Sequence, residues 1–298
     1  MGKQGKLYET RRRLQVGLLE MTSYEFMTKM YYFIVFKRKL NLNDPYYFNE
    51  KINWLKVNYY PDNPSVVQAA DKFEVRQYLR KKNLDYLLND LIGVWESWEE
   101  VNWDLLPDQF ALKCTHGAQY NIIVEDKTKY DKYEVGEQMT KWLSEDFGKF
   151  NAEEHYSKIK PRIICERYLA ENMTDYKFFC FNGIPKFFYV AEGFGKLENE
   201  KMDFFNLDGT KAPFRNPTYD SFNKEIKLPD KFEKMLDISK VLSEEFPFVR
   251  VDLFVLNNQV YFSELTFTPT AGFMTIEPNK TYEIWGNYLD LSNLIDKD

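Results

Sequence analysis

Two acidic residues near the carboxyl end have the spacing of a metal site. In RVDLFVLNNQVYFSELTFTPTAGF, residues 250–273, apolar and β-branched residues fill two arms joined at Asn257-Asn258, a pair that tolerates the positive φ of a tight turn. Side chains alternate along a strand. If Asn257, Asn258 and Gln259 form a three-residue loop, Asp252 falls opposite Glu264, and Arg250, Asp252, Glu264, Thr266 and Thr268 share one face. A two-residue turn instead sends the two acids to opposite faces. Facing carboxylates repel, so the first register makes sense with a hard, oxygen-seeking cation between them. The second leaves an ordinary hairpin with a solvated polar face.

Upstream lie groups that suit phosphate. Lys113 ends the apolar run QFALKC (109–114) and precedes THGAQY (115–120), which contains Gly117 and Ala118. A return strand begins at Asn121. Strand, loop and strand make a flap whose backbone N–H groups and lysine can hold phosphate oxygens. The loop lacks the spacing of a Walker loop or a dinucleotide fingerprint. Lys72 follows Ala70-Asp71 at a helix start. Glu166 interrupts the apolar run Ile163-Ile164-Cys165, and a buried carboxylate needs a partner.

Other chemistries find less support. His116 and His155 are the only histidines, which excludes a histidine-rich zinc centre. His116, in the flap loop, has the position of an exposed residue or a ligand contact. Neither Ser-His-Asp nor Cys-His catalysis has a local signature, and the aromatic residues are spaced as core rather than as a stacking platform for nucleic acid.

These residues need elements to carry them. Residues 5–40 read as helical, and Asn49 is placed to cap a helix from Glu50. Residues 68–82 read as one helix. Strands are expected within 87–95, at 109–114, from Asn121 to Val124 and at 162–169, with a polar helix over about 130–150. DYKFFCFNGIPKFFYVA (175–191) is a hairpin turning at Asn182-Gly183. A loop-rich stretch with an Asp-Gly turn runs to about Leu228. Helices follow over 229–246 and 282–295, on either side of the carboxylate hairpin. Strands and helices alternating with two antiparallel hairpins imply a mixed α/β or α+β architecture.

A chain of 298 residues can bury a large core in two or three subdomains. The net charge of −6 gives no global attraction to nucleic acid. The charge is uneven: residues 1–40 carry nine Lys and Arg against Glu9, Glu20 and Glu25. That basic region suits contact with an anionic polymer or a membrane surface; the plainer reading is a solvated helix face. Cys114, Cys165 and Cys180 each sit in an apolar run, as reduced core residues of a cytosolic protein would. No secretory signal is visible, and the longest apolar stretch near the start, Tyr31–Phe36, is too short to span a bilayer.

In order along residues 41–275, PYYFNEKINWLK, AADKFEVRQYL, FALKCTHGAQYNIIVEDK, ICERYL, DYKFFCFNG and VRVDLFVLNNQVYFSELTFTPTAGF together resemble the ATP-grasp superfamily. Within it they resemble the TupA-like group of bacterial surface-polysaccharide clusters. The resemblance implies an α+β ATP-grasp fold, with a helical amino-terminal region over 1–66, a catalytic region over 67–298 and a mobile flap over about 107–168. It implies ATP and Mg2+. Lys72 and Lys113 correspond to the phosphate lysines, and Lys177 to a further phosphate contact. Glu166, Arg167, Tyr168 and Leu169 correspond to the adenine hinge. Asp175, in preference to Glu171, corresponds to the ribose ligand. Asp252 and Glu264 correspond to the magnesium carboxylates. Thr266 stands where the third ligand is often Asn. Arg250 corresponds to the arginine beside the transferred phosphoryl group.

The activity so implied is carboxylate–amine ligation through an acyl-phosphate. The acid would be a uronic acid of a capsular or other surface polysaccharide, and the amine an amino acid or amino alcohol, with Arg215 as an acceptor contact. The rivals are a sugar kinase on the same scaffold, a glycosyltransferase and a non-enzymatic glycan-binding protein. The expected location is the cytoplasm, with a peripheral contact at the inner face of the membrane through the basic region.

Overall fold

The computed structural model describes residues 3–169, 174–192, 200–222 and 225–295. The chain starts with two helices, α1 (Lys3–Glu20) and α2 (Tyr24–Phe36). Ser23 caps α2 by accepting from the Phe26 N–H at 3.1 Å. The next helix, α3 (Phe48–Asn58), starts before Glu50, because the Glu50 carboxylate reaches back to the N–H groups of Tyr46 and Tyr47 at 3.1 and 3.2 Å. Asn49 is therefore not the cap expected. It lies inside the helix, where its Oδ1 accepts from Arg38 at 3.0 Å.

The single helix expected over 68–82 is broken in two, α4 (Pro64–Ala70) and α5 (Val75–Lys81). Asp71 makes the break. Its backbone is extended, and its Oδ1 accepts from the N–H groups of Phe73 and Glu74 at 2.7 and 3.2 Å. Short acidic side chains compete with the helix in this way. Lys72 thus sits in a bend between helices.

The strands β1 (Leu91–Trp95), β2 (Phe110–Cys114), β3 (Asn121–Val124) and β4 (Ile163–Arg167) form an antiparallel sheet in the order β1-β4-β2-β3. Between β3 and β4 lie α6 (Lys132–Ser144) and the short α7 (Glu154–Ser157). Phe110, Leu112, Val124, Met139 and Ile163 form the core of this unit.

The second sheet holds β5 (Asp175–Phe181), β6 (Ile184–Glu192), β7 (Lys201–Asn206), β8 (Phe248–Leu256) and β9 (Gln259–Thr266), in the order β7-β6-β5-β8-β9. Asn182 and Gly183 make the β5–β6 turn with φ of 46° and 79°. Helix α8 (Phe232–Ser243) packs its Phe232 on Phe178 and Phe188, on one face of the sheet. On the other face, Trp285 of α9 (Thr281–Tyr288) stacks on Phe187, their centroids 4.4 Å apart. A break separates α9 from α10 (Ser292–Ile295), where one helix was expected. Both sheets are antiparallel, so the fold is α+β, as anticipated. The three cysteines are buried and unpaired.

Candidate active site

The carboxylate hairpin closes through a two-residue turn. Leu256 pairs with Gln259, and Asn257 and Asn258 take φ of 50° and 61°. A regular ladder from that turn would set Asp252 opposite Ser263. Between Leu253↔Phe262 and Asp252↔Glu264, however, β9 gains one residue, a β-bulge at Ser263. The bulge brings the two acids face to face. The expected three-residue loop is thus corrected, while the pairing it was invoked to explain is present.

Glu264, Asp252, Lys177 and Tyr189 line up across four neighbouring strands, with Arg250 one step along the same face. Arg250 donates to both oxygens of Asp252, at 2.7 Å from Nε and 2.6 Å from a terminal nitrogen. It also reaches Glu264 at 2.9 Å and the Thr266 hydroxyl at 3.0 Å. Lys177 donates to Asp252 at 2.6 Å and lies 3.1 Å from Asp175. Thr266 donates to Glu264 at 3.0 Å. Burial pushes the Glu264 carboxyl up, but Arg250, Lys177 and Lys72 more than offset it and hold it at about 2. Burial likewise disfavours the charged form of Lys177, yet Asp252 and Asp175 outweigh it and raise the ammonium above its usual range.

Above this face lies the flap loop, 115–120. Lys72 holds it down: its N–H donates to the Thr115 carbonyl at 3.3 Å and its ammonium to the Gly117 carbonyl. Burial lowers the Lys72 ammonium, against the attraction of Glu264. Lys72 and Ala118 face Ser263 and Glu264 across about 20 Å3 of water-accessible space. That is room for one water molecule, so anything larger requires the loop to lift. His116 is neither exposed nor free to reach a ligand. It is buried, with Nε2 within 3.0 Å of the Trp142 carbonyl and 3.1 Å of the Glu145 carbonyl.

Glu166 has its partners: Lys113 at 2.7 Å and Arg76 at 3.0 Å. Arg76 also donates to the Asn89 carbonyl at 2.7 Å. The Arg167 side chain turns outward to Asp90 at 2.8 Å. The Arg167 backbone is already engaged, its N–H with the Asp90 carbonyl at 3.0 Å and its carbonyl with the Asn89 amide at 2.7 Å. Tyr168 and Leu169 continue the exit from β4, both half-buried. Arg215 is on the surface, paired with Glu277 at 2.8 Å. Glu171 lies outside the described residues.

Two contributors escape a reading of the sequence. Arg76 is one of several cations in RQYLRKK, and only the fold points it at Glu166. Tyr189 is buried under Arg250, its ring centroid 5.7 Å from the guanidinium carbon, and looks like any strand aromatic in the chain.

Asp252, Glu264 and Thr266 offer only hard oxygen donors, which fits Mg2+. Among the described residues no three His, Cys, Asp or Glu side chains gather as a self-sufficient metal cage. Two carboxylates completed by substrate phosphates are the usual protein share of a magnesium site.

A protein-family profile described as TupA-like ATPgrasp matches residues 50–290. No curated protein matches the chain. Among solved structures, a D-alanine–D-alanine ligase of Bacillus anthracis is 16% identical, with a TM-score of 0.42, over 67% of this chain and 57% of its own. A phosphoribosylamine–glycine ligase of Thermotoga maritima is 15% identical, with a TM-score of 0.41, over 69% and 50%. An L-amino acid ligase of Bacillus licheniformis is 10% identical, with a TM-score of 0.44, over 83% and 55%. The chain thus spans from 50% to 57% of the length of these proteins.

Proposed function

The chain belongs to the TupA-like ATP-grasp family, and from that premise we propose that it is an ATP- and Mg2+-dependent carboxylate–amine ligase. The observation that carries the reading is one of convergence. Lys177, Arg250, Asp252 and Glu264 share one sheet face, and Lys72 and the flap loop close over it. Phosphoryl transfer asks for positioning and charge neutralisation more than for covalent chemistry by the protein.

In this reading the phosphates of ATP take Lys72 from the Gly117 carbonyl and Lys113 from Glu166. Lys177 and Arg250 turn from Asp252 toward the moving phosphoryl group. Asp252, Glu264 and Thr266 would hold the Mg2+, which would supply neutralisation of phosphate charge. Asp175 takes the ribose hydroxyls, and the backbone between Glu166 and Leu169 takes the base. A carboxylate oxygen of the acid attacks the γ-phosphorus, and ADP leaves as the bridging P–O bond breaks. The amine nitrogen then attacks the acyl carbon. The acyl C–O bond breaks, inorganic phosphate leaves and the nitrogen's proton passes to water. The loop over residues 115–120, closed again, keeps water from the acyl-phosphate.

The substrates we propose are a uronic acid of a capsular or other surface polysaccharide and an amino acid or amino alcohol. The test is phosphate release with ATP, Mg2+, a glucuronate acceptor and a panel of amines, followed by the mass of the product. Release that needs both acid and amine, with an amide product, supports the ligase. Turnover independent of either rejects it. A phosphorylated sugar without amide assigns a kinase. A non-enzymatic binder predicts no rise in melting temperature with Mg·ATP.

A further inference from the structure

Helix α2 is apolar on both sides. Its inner side buries Met27 and Tyr32, sets Tyr31 edge-on to Phe273 and Phe36 edge-on to Tyr282. Its outer side carries Phe26, Phe33 and Ile34, at the i, i+7 and i+8 spacing of one helix face, while Met30 between them is half-buried against Leu19 and Met27. Phe26, Phe33 and Ile34 are 50%, 54% and 52% exposed, and Met21, in the link from α1, is 78% exposed. Single exposed apolar residues are common, but a contiguous stripe marks an interaction surface.

Charge says what covers it. Lys29 flanks the stripe and pairs with Glu25. Lys37 caps the helix with φ of 56°, and it and Lys39 are exposed, with no carboxylate partner among the described residues. Arg11 and Arg13 are exposed on α1. Residues 1–40 sum to +6, nine cations less three acids, in a chain of −6, which leaves −12 on the remainder. An anionic surface therefore attracts this end and repels the rest, fixing an orientation.

We propose that the outer face of α2 is a peripheral contact with an anionic lipid bilayer. Phe26, Phe33 and Ile34 enter the headgroup boundary, and Lys29, Lys37 and Lys39 meet lipid phosphates. An anionic polysaccharide engages the cations but gains nothing from a Phe and Ile stripe. A second copy sets one +6 region against another, and protein interfaces are depleted in lysine at their centres. The inference stands apart from the ligase reading, since it uses none of the same residues. Among the described residues no helix is long and apolar enough to cross a membrane, so the contact lies on the surface.

The experiment is flotation of the whole protein with vesicles of phosphatidylcholine alone or mixed with phosphatidylglycerol, at low and high salt. The expected result is flotation only with the mixed vesicles and weakened by salt. The double variant Phe33→Ser/Ile34→Ser is expected to bind them roughly tenfold more weakly or worse. Lys37→Gln/Lys39→Gln is expected to lose the preference for phosphatidylglycerol. A Phe33→Cys variant carrying an environment-sensitive dye reports insertion directly, because the three native cysteines are buried. Three results overturn the proposal. One is no flotation of the parent together with no dye response. Another is flotation indifferent to Phe33 and Ile34. The third is a dimer in the analytical ultracentrifuge that these two substitutions dissolve.

Discussion

Asp252 faces Glu264 because Ser263 is bulged out of β9. The Asn257-Asn258 turn by itself sets the hairpin one residue out of that register. A one-residue slip sends every following side chain to the other face. The bulge restores the face at the point where the acids begin, and Arg250 then clamps both carboxylates and Thr266.

If the clamp is where a metal and phosphate enter, Glu264→Gln removes a charge from the metal side and leaves the lysines intact. Turnover of ATP is expected to fall by roughly a hundredfold or more. Nucleotide binding without Mg2+, followed by thermal shift, is expected to persist. Equal loss of both would assign Glu264 to folding rather than to the metal.

Arg76 and Lys113 both hold Glu166, but they are unequal. Side-chain exposure is 8% for Arg76 and 28% for Lys113. Arg76→Met is expected to lower unfolding stability by about 3 kcal/mol, because it breaks a buried pair. Lys113→Ala is expected to cost under about 1 kcal/mol in stability and to weaken nucleotide binding instead. Urea unfolding and nucleotide titration on the two variants check this; interchangeable losses would refute it.

His155 gives the fold a pH dependence. It is wholly buried, both ring nitrogens lack a partner among the described residues, and burial lowers its pKa from the ordinary 6.5 to about 3. Below pH 6.5 the unfolded chain takes up a proton that the folded chain refuses, so stability falls as pH drops toward 3. At pH 5 the loss from this one group is roughly 2 kcal/mol. In His155→Phe the difference in stability from the parent is expected to shrink by that amount between pH 7.5 and pH 5. A difference that stays constant would mean that the ring takes up its proton alike in the folded and unfolded chains.

What the sequence made legible was local. Asn182-Gly183 announced its hairpin because only a few residues accept two successive positive φ values. The cysteines announced a core because each sits in an apolar run. The family became readable from six motifs in order, and the expected roles of the carboxylates and lysines came with it. The bulge at Ser263 was not readable, because nothing about an exposed serine marks an extra strand residue. The Asp71 break was hidden by helix-compatible neighbours on both sides. Arg76 could be assigned to Glu166 only by a contact across 90 residues. The outer stripe of α2 was hidden for a related reason: a helix apolar all round gives no direction in its periodicity.

Lys56 ties three segments together, and its loss is the strictest trial of the frame around the hairpin. Thr270, Ala271 and Gly272, just after β9, take φ of 52°, 56° and 86°. A left-handed conformation costs Thr and Ala on the order of 1 kcal/mol each, so something must hold it. From α3, Lys56 donates to the Ala271 carbonyl at 2.9 Å and to the Asn151 carbonyl at 3.1 Å, and Asn53 donates to the Gly272 carbonyl at 2.8 Å. Glu153 accepts from Thr268 at 2.5 Å and is the anion that Lys56 senses. Lys56→Met removes two donors and leaves Glu153 buried without a cation. The expected cost is about 3 kcal/mol or more by urea unfolding. Lys56→Met/Glu153→Gln removes the stranded charge as well, so it is expected to be more stable than the sum of the two single losses predicts. Strict additivity would show that Lys56 acts on the loop carbonyls alone and that Glu153 is held by Thr268.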